Sequence, residues 1–153
     1  MGARAVDILR IGLEDARYPS QLEGMPGYEL PTSLDALGNL DLLSRRKLAV
    51  LCSVKCPGSL ILQSYDLMQR LRQADLAVVG GFHSPMEREW LAALADELLV
   101  AHASPGGKTE QFCRELLEWG KPLYTLEDRA NGNLFEMGAR PLRLAPGVPL
   151  PWS

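Results

Sequence analysis

Residues 97–119, ELLVAHASPGGKTEQFCRELLEW, contain a short apolar run, a glycine loop and a helical pattern in direct succession. The run at 97–101 is nearly continuous in apolar residues, which is typical of a parallel strand buried on both faces. The SPGG sequence at 104–107 interrupts this run, and the helical pattern at 109–119 ends before Gly120. This order predicts a strand, a loop and a helix, the repeating unit of a parallel α/β sheet.

The same order occurs twice more towards the N-terminus. The predicted elements are strands at 47–54 (KLAVLCSV) and 76–79 (LAVV), helices at 60–73 and 85–95, and a further strand at 122–125 (PLYT). The SPME sequence at 84–87 indicates a helix start, with serine as N-cap, proline at the first helical position and glutamate at the third. We therefore expect an α/β, Rossmann-like three-layer fold with a mainly parallel sheet.

The sequence divides into three parts. Residues 1–46 are punctuated by proline and glycine and show little periodicity, so we expect an N-terminal arm with one or two short helices that leads into the core. Residues 47–140 contain the strand–loop–helix units and form the Rossmann-like domain. Residues 141–153 form a C-terminal tail with four prolines. The whole segment from Arg129 to Ser153, which includes a predicted turn at 131–133 (NGN), is expected to wrap the surface.

Composition restricts the possible functions. The chain has 153 residues, 46% hydrophobic and 23% charged, which is typical of a folded globular domain. Its formal net charge of −3 disfavours a protein that coats nucleic acid by bulk electrostatics, but it leaves a local basic patch open. No apolar run approaches the roughly 20 residues that cross a bilayer, and residues 1–17 lack a signal-peptide core. We expect a cytoplasmic protein without membrane contact.

The three cysteines predict neither a disulfide framework nor a metal site. They are few and odd in number, and the spacing of Cys52 and Cys56 is not matched by a second Cys/His pair close by in sequence. Closed zinc sites normally need four ligands. We expect Cys52, Cys56 and Cys113 to be reduced thiols.

Three glycine-containing loops are expected at one edge of the sheet, because right-handed crossovers bring them to the carboxyl ends of parallel strands. Helix N-termini there present unpaired N–H groups and a partial positive charge. Each loop alone could be a plain connection, but three together, with hydroxyls and two lysines, favour an anionic ligand such as a phosphate. The predicted ligand-binding residues are Ser53, Lys55, Gly80, Gly81, Ser84, Ser104, Gly106, Gly107, Lys108 and Thr109.

Other polar and aromatic residues near these loops receive structural interpretations. The patterns GxxxxGK[ST] and GxGxxG are absent, and we expect no cofactor and no catalytic residue. Histidines beside strand ends are usually hydrogen-bonded structural residues, and glutamates in a first helical turn interact with the helix dipole. These interpretations apply to His83, His102, Glu87 and Glu110. Packing is expected for Trp90 and Trp119, and stacking on a base is an alternative for Tyr18, Tyr28 or Phe82.

Several motifs resemble the DprA/Smf family of DNA-processing proteins. The resemblance is most specific at 80–87 (GGFHSPME) and 101–109 (AHASPGGKT). It extends to the Tyr18-Pro19 lead-in and to a closing pattern formed by Asn131, Leu134 and Gly138-Ala139. It implies a Rossmann-like fold, often homodimeric, that is related to lysine-decarboxylase-like nucleotide-binding proteins. Full DprA proteins bind single-stranded DNA and load recombinase onto it during natural transformation.

Three departures from the family pattern concern basic or DNA-facing elements. The chain runs from the helix after Ser84 directly into the strand at Glu97, so part of the family's sheet is expected to be missing. The family's additional C-terminal winged-helix domain is not expected. The arginine of the family's Gly-Ser-Arg turn is replaced by Lys55 or lost.

Three functions remain open. The first is a non-enzymatic module that binds single-stranded DNA or nucleotide phosphates through backbone N–H groups and lysines. The second is a nucleotide phosphoribohydrolase, whose pattern Pro-Gly-Gly-x-Gly-Thr-x-x-Glu resembles residues 105–110 (PGGKTE) with one glycine missing and the glutamate shifted. The third is a degenerate scaffold for protein interaction through a dimer face. A homodimer is expected.

Overall fold

The computed structural model describes residues 7–81 and 84–153. In chain order the elements are β1 (Ile8–Gly12), β2 (Ser33–Leu37), β3 (Lys47–Leu51), α1 (Gly58–Leu71), β4 (Ala77–Val79), α2 (Pro85–Leu94), β5 (Glu97–Val100), α3 (Lys108–Glu118), β6 (Leu123–Leu126), α4 (Gly132–Glu136) and β7 (Arg140–Leu142), with 3₁₀ turns at Ser20–Gly24, Leu40–Ser44 and Arg129–Asn131. Strands β3 to β7 form one sheet in the order β4-β3-β5-β6-β7, and every neighbouring pair is parallel. The predicted α/β, Rossmann-like arrangement is confirmed.

Alternate residues of the central strands face two apolar clusters on opposite sides of the sheet. In β5, Leu98 and Val100 pack with residues of α2 and α3, whereas Leu99 packs with residues of α1. All four residues of β5 are buried, which explains why this strand is a continuous apolar run in the sequence. The helices therefore cover both faces and leave the carboxyl edge of the sheet for the loops.

The helix start predicted at Ser84 is present in the structure. The Ser84 hydroxyl accepts a hydrogen bond from the Glu87 N–H (3.2 Å), and the Glu87 carboxylate accepts one from the Ser84 N–H (3.1 Å). This reciprocal capping box fixes the first turn of α2. The predicted strand at 47–54 ends earlier, at Leu51, and a turn precedes α1.

The C-terminal segment differs from the expected surface tail. Residues Arg140–Leu142 form β7, which adds a parallel strand beside β6. Further on, Leu150 and Trp152 are buried in the same apolar cluster as α1. The physical reason is that α1 alone leaves part of this sheet face uncovered, and the tail supplies the remaining apolar surface.

The N-terminal arm contains a two-stranded antiparallel ribbon of β1 and β2 in addition to short 3₁₀ turns. Leu22 and Met25 pack with Ala93 of α2, so the arm is attached to the outer side of that helix. Within the described ranges, no helix has both the length and the apolar character required to cross a membrane.

Candidate phosphate-binding cleft

The loops that follow β3 and β5 are in direct contact at the carboxyl edge of the sheet. The Ser53 N–H donates to the His102 carbonyl (2.9 Å), and the Ser104 N–H donates to the Ser53 hydroxyl oxygen (3.0 Å). The Ser104 hydroxyl donates to the Lys55 carbonyl at 3.5 Å. Because β3 and β5 are adjacent and parallel, these loops meet at one edge.

A cleft of about 220 Å³ lies beside these loops. Its lining includes Val50, Leu51, Cys52, Gly81, Thr109 and Phe112. The end of β3, the glycine after β4 and the first turn of α3 therefore form one concave surface. Of the predicted ligand-binding residues, Gly81 and Thr109 line this cleft.

Arg88 of α2 also lines the cleft, and sequence reasoning did not identify it. Its side chain is half-buried, and it has no hydrogen bond or ion pair with any residue in the described part of the chain. Arginine is common on the exposed faces of helices, so its presence in the sequence does not indicate a binding site. The available signal was its position one turn after Ser84, where a cation lies near the positive end of the helix dipole and is unfavourable without a counter-ion.

The three helix N-termini at this edge are not equivalent. Helices α1 and α3 begin after Pro57 and Gly107, and neither residue supplies a side-chain cap. Helix α2 is capped by its own Ser84 and Glu87. The N–H groups of the first turns of α1 and α3 are therefore better placed to meet an external anion, whereas the Ser84 hydroxyl already has a capping role.

The glycines of the loop before α3 are required by its geometry. Gly106 has a φ of +73°, in the left-handed region that disfavours other residues. A Cβ at Gly107 would lie 3.0 Å from the Ser104 carbonyl oxygen. Gly81, in the cleft, has a φ of +113°, whereas Gly80 is exposed with open space around it. These residues shape the loops, and only Gly81 among them lines the cleft.

The two predicted lysines lie near the cleft but do not line it. Lys55 is exposed in the loop after β3. Lys108, the first residue of α3, lines a separate groove of about 340 Å³ between α2 and α3, where Arg88 is also present. Both lysines are therefore outside the cleft lining, and Arg88 is the cation in its wall among the described residues.

Asn131 holds the residue that follows β5. Its buried Nδ2 group donates to the carbonyls of Ala101 and Leu126, each at 3.0 Å. The Asn131 oxygen is therefore an acceptor and lies 3.0 Å from Nδ1 of His102, so the His102 proton is on Nδ1. His102 has the structural hydrogen bond that its position predicted.

Glu110, in the first turn of α3, is held by hydrogen bonds. Its carboxylate accepts from the Asn133 amide and from the Arg114 guanidinium (3.1 Å), and Asn133 also donates to the Ala103 carbonyl (3.0 Å). The hydrogen bonds from Asn133, then from Arg114, and that from the Gly106 N–H hold the pKa of Glu110 below its ordinary value. This ionised carboxylate organises the loop before α3.

The remaining predicted residues have other environments. All three cysteines are free, and no group of three or more potential metal ligands occurs among residues 7–81 and 84–153. The Tyr18 hydroxyl donates to the Pro31 carbonyl (2.6 Å), away from the cleft lining. Trp90 and Trp119 are half-buried and pack against apolar clusters. Phe82 and His83 lie outside the described residues.

Comparisons with known proteins locate a similar fold. No family model and no curated protein sequence matches the chain. Among solved structures, the fold is similar to that of DNA processing protein A (DprA) from Streptococcus pneumoniae, with a TM-score of 0.62 and 19% sequence identity. The match covers 89% of this chain and 71% of the DprA chain. The chain therefore has a DprA-like fold.

Proposed function

We propose that this protein binds a phosphate group of single-stranded DNA or of a nucleotide in the cleft at Gly81, Arg88 and Thr109. The observation that carries the proposal is the guanidinium of Arg88, which lines the cleft without a counter-ion among the described residues. A half-buried, unpaired cation is unfavourable. A phosphate supplies both the charge and the paired oxygen acceptors that a guanidinium prefers.

The surroundings of Arg88 provide further donors for the same anion. Thr109 contributes a hydroxyl, and α3 begins without a side-chain cap, so N–H groups of its first turn are available. Gly81 carries no side chain that would keep a ligand from the backbone. Together these groups can satisfy several phosphate oxygens.

Electrostatics restricts the strength of this binding. The net charge of −3 repels a polyanion. Three cations lie in the cleft, in the adjoining loop and in the adjoining groove (Arg88, Lys55 and Lys108), and the groove also contains Glu89 and Glu115. If these three cations neutralise up to about three phosphates, the logarithm of the binding constant falls with the logarithm of the salt concentration with a slope of about −2 for a single strand. This salt dependence is shallow. The similar fold of a protein named for DNA processing supports a nucleic-acid phosphate as the ligand class.

The test is a binding titration with a labelled single-stranded oligonucleotide and with nucleotides at low and high salt. Replacing Arg88 with alanine is expected to weaken binding about tenfold or more, because a charge-assisted pair contributes about 1.5–3 kcal/mol. Arg72→Ala is the matched control, since it removes the same charge from an exposed position just after α1. Equal loss in both variants, or no binding by the unaltered protein, would contradict the proposal.

The enzymatic alternative requires a carboxylate that is free to act on a nucleotide. Glu110 instead accepts hydrogen bonds from three partners, and its lowered pKa disfavours a role as a general acid. This arrangement supports binding without hydrolysis. Release of free base from nucleoside monophosphates, abolished by Glu110→Gln, would restore the phosphoribohydrolase hypothesis.

A further inference from the structure

We infer that the cleft at Arg88 recognises a terminal phosphomonoester, at a strand end or on a free mononucleotide, in preference to an internal phosphodiester. This inference rests on the proposed function and specifies its ligand. Three features of the described residues carry it: the volume of the cleft, the single cation in its wall, and the adjoining groove, in which two carboxylates face one lysine besides Arg88.

The cleft is too small for a whole nucleotide strand to pass through. Its volume of about 220 Å³ lies below the roughly 300–1,000 Å³ of pockets that bury drug-sized ligands. One phosphate with part of its sugar fits such a volume. The back of the cleft is formed by residues at the end of β3 and by Phe112, which is buried and offers no exposed ring on which a base could stack.

Only one cationic side chain lines the cleft in the described part of the chain. Lys55 and Lys108 are exposed nearby, but neither belongs to its wall. A guanidinium binds two oxygens of one phosphate through parallel N–H donors. A terminal phosphate carries close to two negative charges at neutral pH, whereas an internal phosphodiester carries one, so a single arginine gains more from the terminal group.

The continuation of the cleft is unsuited to a second phosphate. Arg88 and Phe112 also line the groove between α2 and α3. Besides Arg88, that groove has two carboxylates, Glu89 and Glu115, and one lysine, Lys108. When Arg88 holds the terminal phosphate, a strand running onward would bring its next phosphate into a groove with two carboxylates and one lysine, and this excess of negative charge is repulsive. One oxygen of Glu89 is buried without a hydrogen-bond partner among the described residues, so this groove favours hydroxyl or amine donors.

The experiment compares oligonucleotides of one sequence that carry a 5′ phosphate, a 3′ phosphate or neither, together with a nucleoside monophosphate and inorganic phosphate as competitors. We expect one phosphorylated end to bind about tenfold more tightly than the unphosphorylated strand. Arg88→Ala should remove this difference, Arg88→Lys should retain part of it, and Arg72→Ala should leave it intact. The preference should also weaken as the pH falls below about 6, where the terminal phosphate gains a proton.

A second variant tests the contribution of the carboxylates in the groove between α2 and α3. Glu115→Gln is expected to raise the affinity for the unphosphorylated strand several-fold, because the next phosphate meets one carboxylate fewer. The preference for a phosphorylated end over the unphosphorylated strand should therefore become smaller. If all three oligonucleotides bind equally while Arg88→Ala weakens each of them, the inference is wrong and the proposed function stands. If neither oligonucleotide nor mononucleotide binds, the proposed function fails with it. Competition by the mononucleotide alone would assign the site to free nucleotides instead of strand ends.

Discussion

Asn131 shows how one buried amide can fix the geometry of a site from outside it. The side chain is fully buried and connects Ala101, Leu126 and His102 through three hydrogen bonds. All three partner residues are buried, so water cannot readily replace the Asn131 side chain as their hydrogen-bond partner. Asn131 therefore anchors the strand end that supplies the loop before α3.

Asn131→Asp is expected to lower the free energy of unfolding by at least about 3 kcal/mol, because two carbonyls would face a buried carboxylate in place of their donor. Urea denaturation followed by circular dichroism measures this. Asn39→Asp is the matched control, since Asn39 uses only its side-chain oxygen, as acceptor from the Asp41 N–H. A similar loss in both variants would show that Asn131 has no special role.

Glu110 makes stability depend on pH. Its pKa is lower in the folded chain than the ordinary value of 4.5, so its stabilising contribution is present above that value and is lost as the pH falls through the folded-state pKa. We expect Glu110→Gln to be less sensitive than the unaltered protein to acidification from about pH 5 to pH 3. Thermal denaturation at both pH values checks this. Glu118→Gln, at an exposed position of the same helix, is the control. Identical acid sensitivity of all three proteins would contradict the assignment.

At the scale of elements, the capping of α2 and of α3 separates structural from ligand-binding hydroxyls. Ser84 caps α2, whereas Thr109 lines the cleft at the start of α3. Ser84→Ala should lower the free energy of unfolding by about 1 kcal/mol without weakening phosphate binding. Thr109→Ala should weaken binding about three- to tenfold with little effect on stability. Unfolding and binding titrations on both variants distinguish these outcomes, and a reversed pattern would exclude these roles.

The same scale explains what the sequence predicted about the site. Gly81 and Thr109 follow strands whose apolar runs are evident, so their meeting at one edge is predictable from right-handed parallel topology. The role of Arg88 was not predictable, because whether its side chain forms an ion pair depends on which residues of α2 and α3 come together. Lys108 follows the correct strand, but its position at the first residue of α3 directs it to the neighbouring groove.

Across the whole molecule, the C-terminal residues are part of the core. Trp152 is buried, donates from its ring nitrogen to Glu97 (2.7 Å) and packs edge-on against Tyr124 at 5.1 Å. Glu97 also pairs with Arg46 (2.7 Å), so the tail is joined to a charged network at the start of β5. This packing closes the sheet face that α1 leaves open.

Trp152→Ala is expected to reduce the free energy of unfolding by about 3–5 kcal/mol, and Trp152→Phe by less, because the phenyl ring keeps most of the apolar burial. Circular dichroism in urea is the suitable measurement, since fluorescence would change with the tryptophan itself. Arg143→Ala, at an exposed position in the same segment, should change stability by no more than about 0.5 kcal/mol. Equal stability of Trp152→Ala and Arg143→Ala would show that the tail does not stabilise the fold.

The homodimer and the cytoplasmic location remain predictions. Sedimentation velocity would measure the oligomeric state.

Local sequence patterns were enough to predict the strands β3, β5 and β6, the capped start of α2 and the glycine turn before α3. These features depend on neighbouring residues, through apolar runs, capping pairs and backbone conformations that only glycine adopts readily. Four features became evident only from the folded chain: Arg140–Leu142 pairs with β6, Trp152 covers the sheet, and Asn131 donates to the residue after β5. The fourth is that Arg88 lies unpaired in the cleft among the described residues. The reason is that each of these depends on surfaces and polar groups brought together from distant parts of the chain, which leave no periodic signal in the local sequence.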